Sequence, residues 1–416
     1  MIKHIVSVAA CVLVAGASAG GVLAEMPRVS EDHRERGERL VERAIGFLRG
    51  QQDGQTGGFN HRPDGPNLPA ITGLVVTGML LDPEIDGNDP TVRKGVEYML
   101  SFVQPDGGIY DRILPSYNTA ICVSALSKLG PGEPGYQRAG GVMADGVRRL
   151  KSLQYSDEAD VESEVGRTTQ RVPRSHPFYG GIGYGSSGRP DNSNMQFMMQ
   201  AFADAGVPAD DPAVQRALVF LQRTQMLDKA NDMDYADGST QGGFIYATAP
   251  NADSIGIGES KAGTIEETLS DGTVASRLRA YGSMTYAGFK SYAYAELAED
   301  DPRVAAALDW ISKNYTLAEN PGIGTDGQYY YYLTFSKALD ARGKPTLPIE
   351  SATGPASTHW AEDLIDQLEG MQNEDGSFRS VDDRWMENDP VLITAYSLIA
   401  LQHALDRDSN NQKEAN

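Results

Sequence analysis

The chain repeats one phrase, and that phrase limits the fold more than any other feature. A glycine turn ending in an apolar residue is followed by a short link and then a small-residue, apolar run. The turns are Gly57-Gly58-Phe59, Gly107-Gly108-Ile109, Gly180-Gly181-Ile182, Gly242-Gly243-Phe244, Gly322-Ile323-Gly324 and Gly376-Ser377-Phe378. The runs are anchored at Thr72, Thr119, Met195, Thr285, Tyr332 and Thr394, so successive anchors stand 47, 76, 90, 47 and 62 residues apart. A period near 47, stretched by insertions, suits one helical hairpin per repeat.

The first helix of each hairpin shows one apolar stripe. Leu40, Ala44, Phe47 and Leu48 carry it in the first repeat, and Val92, Val96, Met99 and Leu100 in the second. These are helical spacings. Asp89-Pro90, Asp211-Pro212 and Asp301-Pro302 each place a capping carboxylate before a residue suited to the first helical position. No run of alternating apolar and polar residues reads as a sheet. Residues 155–178, 247–281 and 343–360 lack helical periodicity and read as insertions. The expected fold is all-α, with six helical hairpins and about twelve main helices. An open stack needs polar terminal repeats. The first and last repeats are as apolar as the middle ones, so the stack is expected to close into a ring.

Residues 1–24 read as a signal peptide: Lys3 and His4, an apolar run from Ile5 to Ala17, then small-residue cleavage patterns ending at Ala19 or Ala24. Export to the periplasm or beyond follows as an expectation, with no transmembrane span in the mature chain. Residues 25–410 form the ring and 411–416 a frayed tail. The full chain has 36 basic and 57 acidic residues. Losing the leader removes Lys3 and no acid, leaving a net charge of −22. Such a surface repels phosphate backbones, so nucleic acid is not an expected partner. Cys122 is the one cysteine outside the leader, so no internal disulfide forms.

Arg43-Ala44-Ile45-Gly46-Phe47-Leu48, then Gln52, then Gly57-Gly58-Phe59, resembles the QW repeat of squalene and hopene cyclases. Arg216-Ala217 with Phe220-Leu221, Gln225 and Gly242-Gly243-Phe244 does so too, and Lys94 to Gly108 and Gln372 to Phe378 are weaker copies. The likeness spans nearly all of residues 35–405 and reaches the wider superfamily, with protein prenyltransferase β-subunits and the complement thioester domain. More closely, Arg189 to Asn194, Tyr281 to Tyr286, Gln328 to Tyr332 and Asp383 to Asp389 resemble secreted bacterial proteins with prenyltransferase and squalene-oxidase repeats. The resemblance implies an (α/α)6 toroid, with the second helix of each hairpin inside, around a central cavity whose mouth is lined by the Gly loops and the residues just before each anchor. It also implies an apolar, isoprenoid-like ligand.

The departures bear on chemistry. Cyclases carry Asp-x-Asp-Asp just before Thr-Ala; here Pro115-Ser116-Tyr117-Asn118 stands there, with no acid. Cys122 lacks the aspartate that accompanies the zinc cysteine of prenyltransferases, and there is no Cys-Gly-Glu-Gln. No metal or cofactor is expected.

The candidate acids are therefore others. Asp383 and Asp389 flank Trp385 in the densest polar and aromatic cluster, and Asp191 stands with Asn192 and Asn194 before an apolar helix. Each could serve as a general acid; each could equally cap a helix or pair with an arginine. Tyr117, Asn118, Asn192, Asn194, Tyr281, Tyr286, Tyr331 and Trp385 are the candidate ligand-binding wall. Nineteen tyrosines against eleven phenylalanines favour a wall that is apolar yet able to hydrogen-bond. Three functions remain open: an apolar-ligand binder, with or without acid-assisted cyclase-type conversion; a glycan-active protein; and a non-catalytic interaction module of the cell envelope.

Overall fold

The computed structural model describes residues 28–158, 171–185, 188–351 and 353–407. The expected leader, part of the 155–178 insertion and the residues from 408 on lie outside them. Among the described residues, twelve α-helices alternate between two layers. The inner helices are α2 (Pro69–Leu80), α4 (Pro115–Leu126), α6 (Asn192–Asp204), α8 (Gly282–Tyr294), α10 (Gln328–Ala341) and α12 (Pro390–Ala404). The outer ones are α1 (Glu31–Gln51), α3 (Pro90–Leu100), α5 (Tyr136–Leu153), α7 (Pro212–Thr224), α9 (Pro302–Lys313) and α11 (Trp360–Glu369). Each inner helix packs on the next, and α12 packs on α2, so the ring is closed. The fold is the expected (α/α)6 toroid. All six anchors lie on inner helices.

Composition decides the layer. The inner helices α2, α4 and α12 are apolar or small nearly all round and buried nearly all round, as a helix without a polar face must be. The outer α3 and α9 bury one stripe, while α7 is buried on most of its faces; all three start where Asp precedes Pro, each cap accepting a backbone N–H of its first turn.

The repeat residues join neighbouring hairpins. The Gln52 side-chain amide donates to the carbonyl of Gly57 in its own turn (2.9 Å) and to that of Thr91 in the next outer helix (2.8 Å). Gln154 does the same to Gly180 and Ala213, and Gln225 to Gly242 and Arg303. Gln372 reaches Gly376 (3.1 Å) and Leu40 of α1 (2.9 Å), which carries the pattern across the ring closure. The anchor threonines fasten turn to inner helix: the N–H groups of Phe59, Ile109, Phe244 and Phe378 donate to Thr72, Thr119, Thr285 and Thr394 at 2.9–3.1 Å. At two of the turns the first glycine admits no side chain. Gly180 has φ +82°, and a Cβ there would fall 1.8 Å from the Arg216 carbonyl of α7; at Gly376 (φ +85°) it would fall 2.2 Å from the Arg43 carbonyl of α1.

Two insertions contain short antiparallel hairpins that the sequence pattern did not announce: β1 (Thr264–Thr268) with β2 (Val274–Leu278), and β3 (Leu347–Ser351) with β4 (Gly354–Thr358). Both are mostly exposed, so neither has the buried face that produces alternation. No helix among the described residues is long and apolar enough to cross a membrane.

Candidate functional site

All six inner helices, at or next to their N-terminal ends, contribute to one cavity of about 200 Å³. Leu68, Ala70, Ile71 and Leu74 come from α2 and its approach, Leu114, Tyr117 and Asn118 from α4, and Ser193 from α6. Tyr281, Ser283 and Met284 belong to the start of α8, Gly327 and Tyr330 to that of α10, and Leu392 and Tyr396 to α12. Tyr184, Tyr246, Trp385 and Met386 complete it from loops. No carboxylate, lysine, arginine or histidine is among these residues. Burial holds all six lining tyrosines well above their ordinary pKa, so they are neutral phenols.

The lip is built by strained backbone. Trp385 and Met386 have φ of 55° and 67°, unusual for such side chains. The Arg384 guanidinium lies 4.3 Å from the Trp385 ring and pairs with Asp326. The indole covers Gly327, where a Cβ would fall 2.8 Å from its six-membered ring. Trp385 and Tyr184 are 40% and 38% exposed, and so stand where the cavity meets solvent.

Of the residues singled out in the sequence, Tyr117, Asn118, Tyr281 and Trp385 line the cavity. Asn118 is also a tie between helices: its carbonyl oxygen accepts the Ala70 N–H of α2 (3.1 Å), and its amide donates to Ile113 and Leu114. Tyr286 and Tyr331 do not line it. They pack with each other and Phe335, at ring separations of 5.0–5.9 Å, and Tyr331 donates to the Thr316 carbonyl. A helix turns about 100° per residue, so Tyr330 faces inward and its neighbour Tyr331 does not. Asn192 ties α6 to the Ile245 carbonyl (2.7 Å) instead of facing the cavity.

The three acids lie outside the lining too. Asp191 is fully buried and caps α6, accepting the backbone and side-chain N–H groups of Asn194 at 2.9–3.1 Å. Burial raises its pKa to about 6, against the pull of those bonds and of Arg189. Asp389 caps α12 through Val391 and Leu392 and accepts from Asn60. Asp383 is exposed beside the lip. The distinctive acid of that cluster is Glu387, 1% exposed, which accepts the N–H groups of Tyr329 (3.3 Å) and Tyr330 (2.8 Å) at the start of α10. Burial raises its pKa to about 7. The sequence places Glu387, Met284 and Tyr330 within candidate stretches without distinguishing them from their neighbours, and does not mark Tyr184, Ser193, Tyr246 or Tyr396 as site residues. One signal for Glu387 exists: Gly327 precedes α10 where a capping side chain would stand, so its free N–H groups need an acceptor from elsewhere.

No protein-family model matches the chain, and no curated protein does. Solved structures do. An inactive variant of the GH76A α-1,6-mannanase of Salegentibacter sp. HEL1_6, in complex with α-1,6-mannotriose, is 9% identical over 90% of this chain and 100% of that one, with a TM-score of 0.53. Another structure of that mannanase is 10% identical over 89% and 99%, with a TM-score of 0.51. The type II terpene cyclase MstE from Scytonema is 13% identical over 90% and 100%, with a TM-score of 0.49. The mannanase structures share the fold with this chain.

Proposed function

We propose that the toroid binds a compact, largely apolar molecule of isoprenoid type in its central cavity, and does so without converting it. The cavity itself carries this reading: aliphatic and aromatic side chains from five of the six inner helices converge on it, α6 adding the Ser193 hydroxyl, and no ionisable acid or base but phenol faces it. Apolar pockets with a few polar points are the usual form of small-molecule sites. Acid-assisted conversion by Asp191, Asp383 or Asp389 has weaker support, because two of these cap helices and the third is exposed. A glycan-active site calls for paired carboxylates roughly 5–9.5 Å apart about the scissile bond, and the lining offers none. Export with removal of residues 1–24 belongs to the same proposal; N-terminal sequencing of the protein from its host tests it.

Incubation with a mixture of prenyl alcohols and terpenoids, followed by native mass spectrometry, tests the binding. Retained mass is expected on the wild type, and Met284→Trp, which fills the cavity, is expected to remove it while leaving the melting temperature within a few degrees. Retention unaffected by Met284→Trp would place any ligand elsewhere.

A further inference from the structure

Each hydroxyl of the lining can donate one hydrogen bond and accept others, so what a ligand meets is set by how those protons are already committed. The polar side chains of the lining are hydroxyls, apart from the Trp385 indole N–H at the lip and Asn118, whose oxygen and amide already have partners. Ser193 and Tyr330 face each other with their oxygens 3.1 Å apart. The Gln196 amide N–H donates to the Tyr330 oxygen at 3.1 Å. That amide is turned this way because its other end accepts from the buried Lys290 amine. Lys290 in turn reaches the Gln200 oxygen (3.3 Å), whose amide donates to Asp204 (3.0 Å). The chain therefore delivers a donor to the Ser193–Tyr330 pair. Two hydroxyl protons remain there, and their mutual bond uses one. Passing the other to a neighbouring phenol such as Tyr117 changes nothing, because each hydroxyl that accepts still has a proton of its own.

We infer that the molecule held in the cavity is a hydrocarbon skeleton bearing a neutral hydrogen-bond-accepting oxygen, a ketone, ether or ester, and that the Ser193–Tyr330 pair recognises it. This rests on the cavity being a binding site. A carboxylate ligand is not matched, because no cation lines the cavity. The nearby Arg189 and Lys261, over the Tyr246 ring at 4.9 and 4.7 Å, are both paired with Glu259. Tyr330 is a specificity-determining residue in this arrangement.

Carvone and limonene, which share a ten-carbon skeleton and differ by the ketone, are suitable probes. Their dissociation constants would be measured by calorimetry on the full chain, with Tyr330→Phe and Ser193→Ala alongside. Transfer from water favours limonene, so an apolar cavity alone would prefer it. The expected result is that Tyr330→Phe lowers the carvone-to-limonene affinity ratio about tenfold, the scale of one hydrogen bond. Ser193→Ala lowers the ratio in the same direction, and decides the matter if Tyr330→Phe does not fold. A ratio unchanged in the folded variants overturns the inference and leaves the cavity reading standing. Failure of both probes to bind the wild type overturns the cavity reading and this inference with it.

Discussion

Glu387 and Asp191 are acids held in a fold that favours their protonated forms. Glu387 rises from 4.5 to about 7 and Asp191 from 3.8 to about 6, burial being the largest cause in both. A carboxyl with a raised folded pKa supports the fold fully below its unfolded value, and that support is lost as pH rises through the folded value. Stability should therefore fall between pH ~4 and ~7. In urea unfolding across that range, Glu387→Gln should lose the Glu387 part of the slope, up to about 3 kcal/mol, and keep the lower-pH part due to Asp191. Parallel curves for the two proteins would show that Glu387 does not titrate there. At this scale the sequence was only partly legible. Asp191 reads as a cap or an acid from its place before an apolar helix, and it caps. Glu387 shares its polar and aromatic surroundings in the sequence with Asp383, in the same lip segment, and only burial separates the two.

An element in this protein is a helix plus the turn that docks it on the next hairpin. The docking depends on the absence of a side chain at a few positions and is indifferent to it elsewhere. Gly376→Ala would push a methyl group against the Arg43 carbonyl at a positive φ, and is expected to cost about 3 kcal/mol or more. Gly140, on the open face of α5, has room for a side chain, since a Cβ there would meet nothing within 4 Å. Gly140→Ala should therefore stabilise by about 0.5–1 kcal/mol. Urea denaturation of both variants checks the contrast; equal effects would mean that the turn yields. The hairpins were legible because their markers are local: Asp-Pro starts, glycine ends and a threonine anchor. The cavity wall was not, because facing depends on rotation about the helix axis. Gln328 to Tyr332 spans more than one turn, so a run of four tyrosines supplies a single cavity residue, and nothing in the run says which.

In the whole molecule, the ends of the described chain meet. Arg28 donates to the His403 carbonyl (2.8 Å) and pairs with Asp340 of α10, with its guanidinium 5.4 Å from the Trp360 ring. From the other end, Arg407 reaches Glu38 of α1 and Asp82, each at 3.0 Å. The outer helix α1 packs on α12 much as α3 packs on α2, and Gln372 makes across this junction the bridge that Gln52 makes within the chain. The toroid was foreseeable from six like repeats with no polar cap; the clasp at Arg28 was not, because it joins residues more than 300 positions apart.

The junction between α12 and α1 thus carries the same glutamine bridge as three others in the ring, and the backbone has a circumference more than a start. A permuted chain, with residues 28 and 407 joined by a flexible linker and new ends opened at Asp271-Gly272 in the exposed tip between β1 and β2, should close into the same ring. Its helical circular dichroism should match the original, and its unfolding should remain one transition. Collapse of the permuted protein would mean that one junction must form before the others, and that the ring, though closed, has a seam.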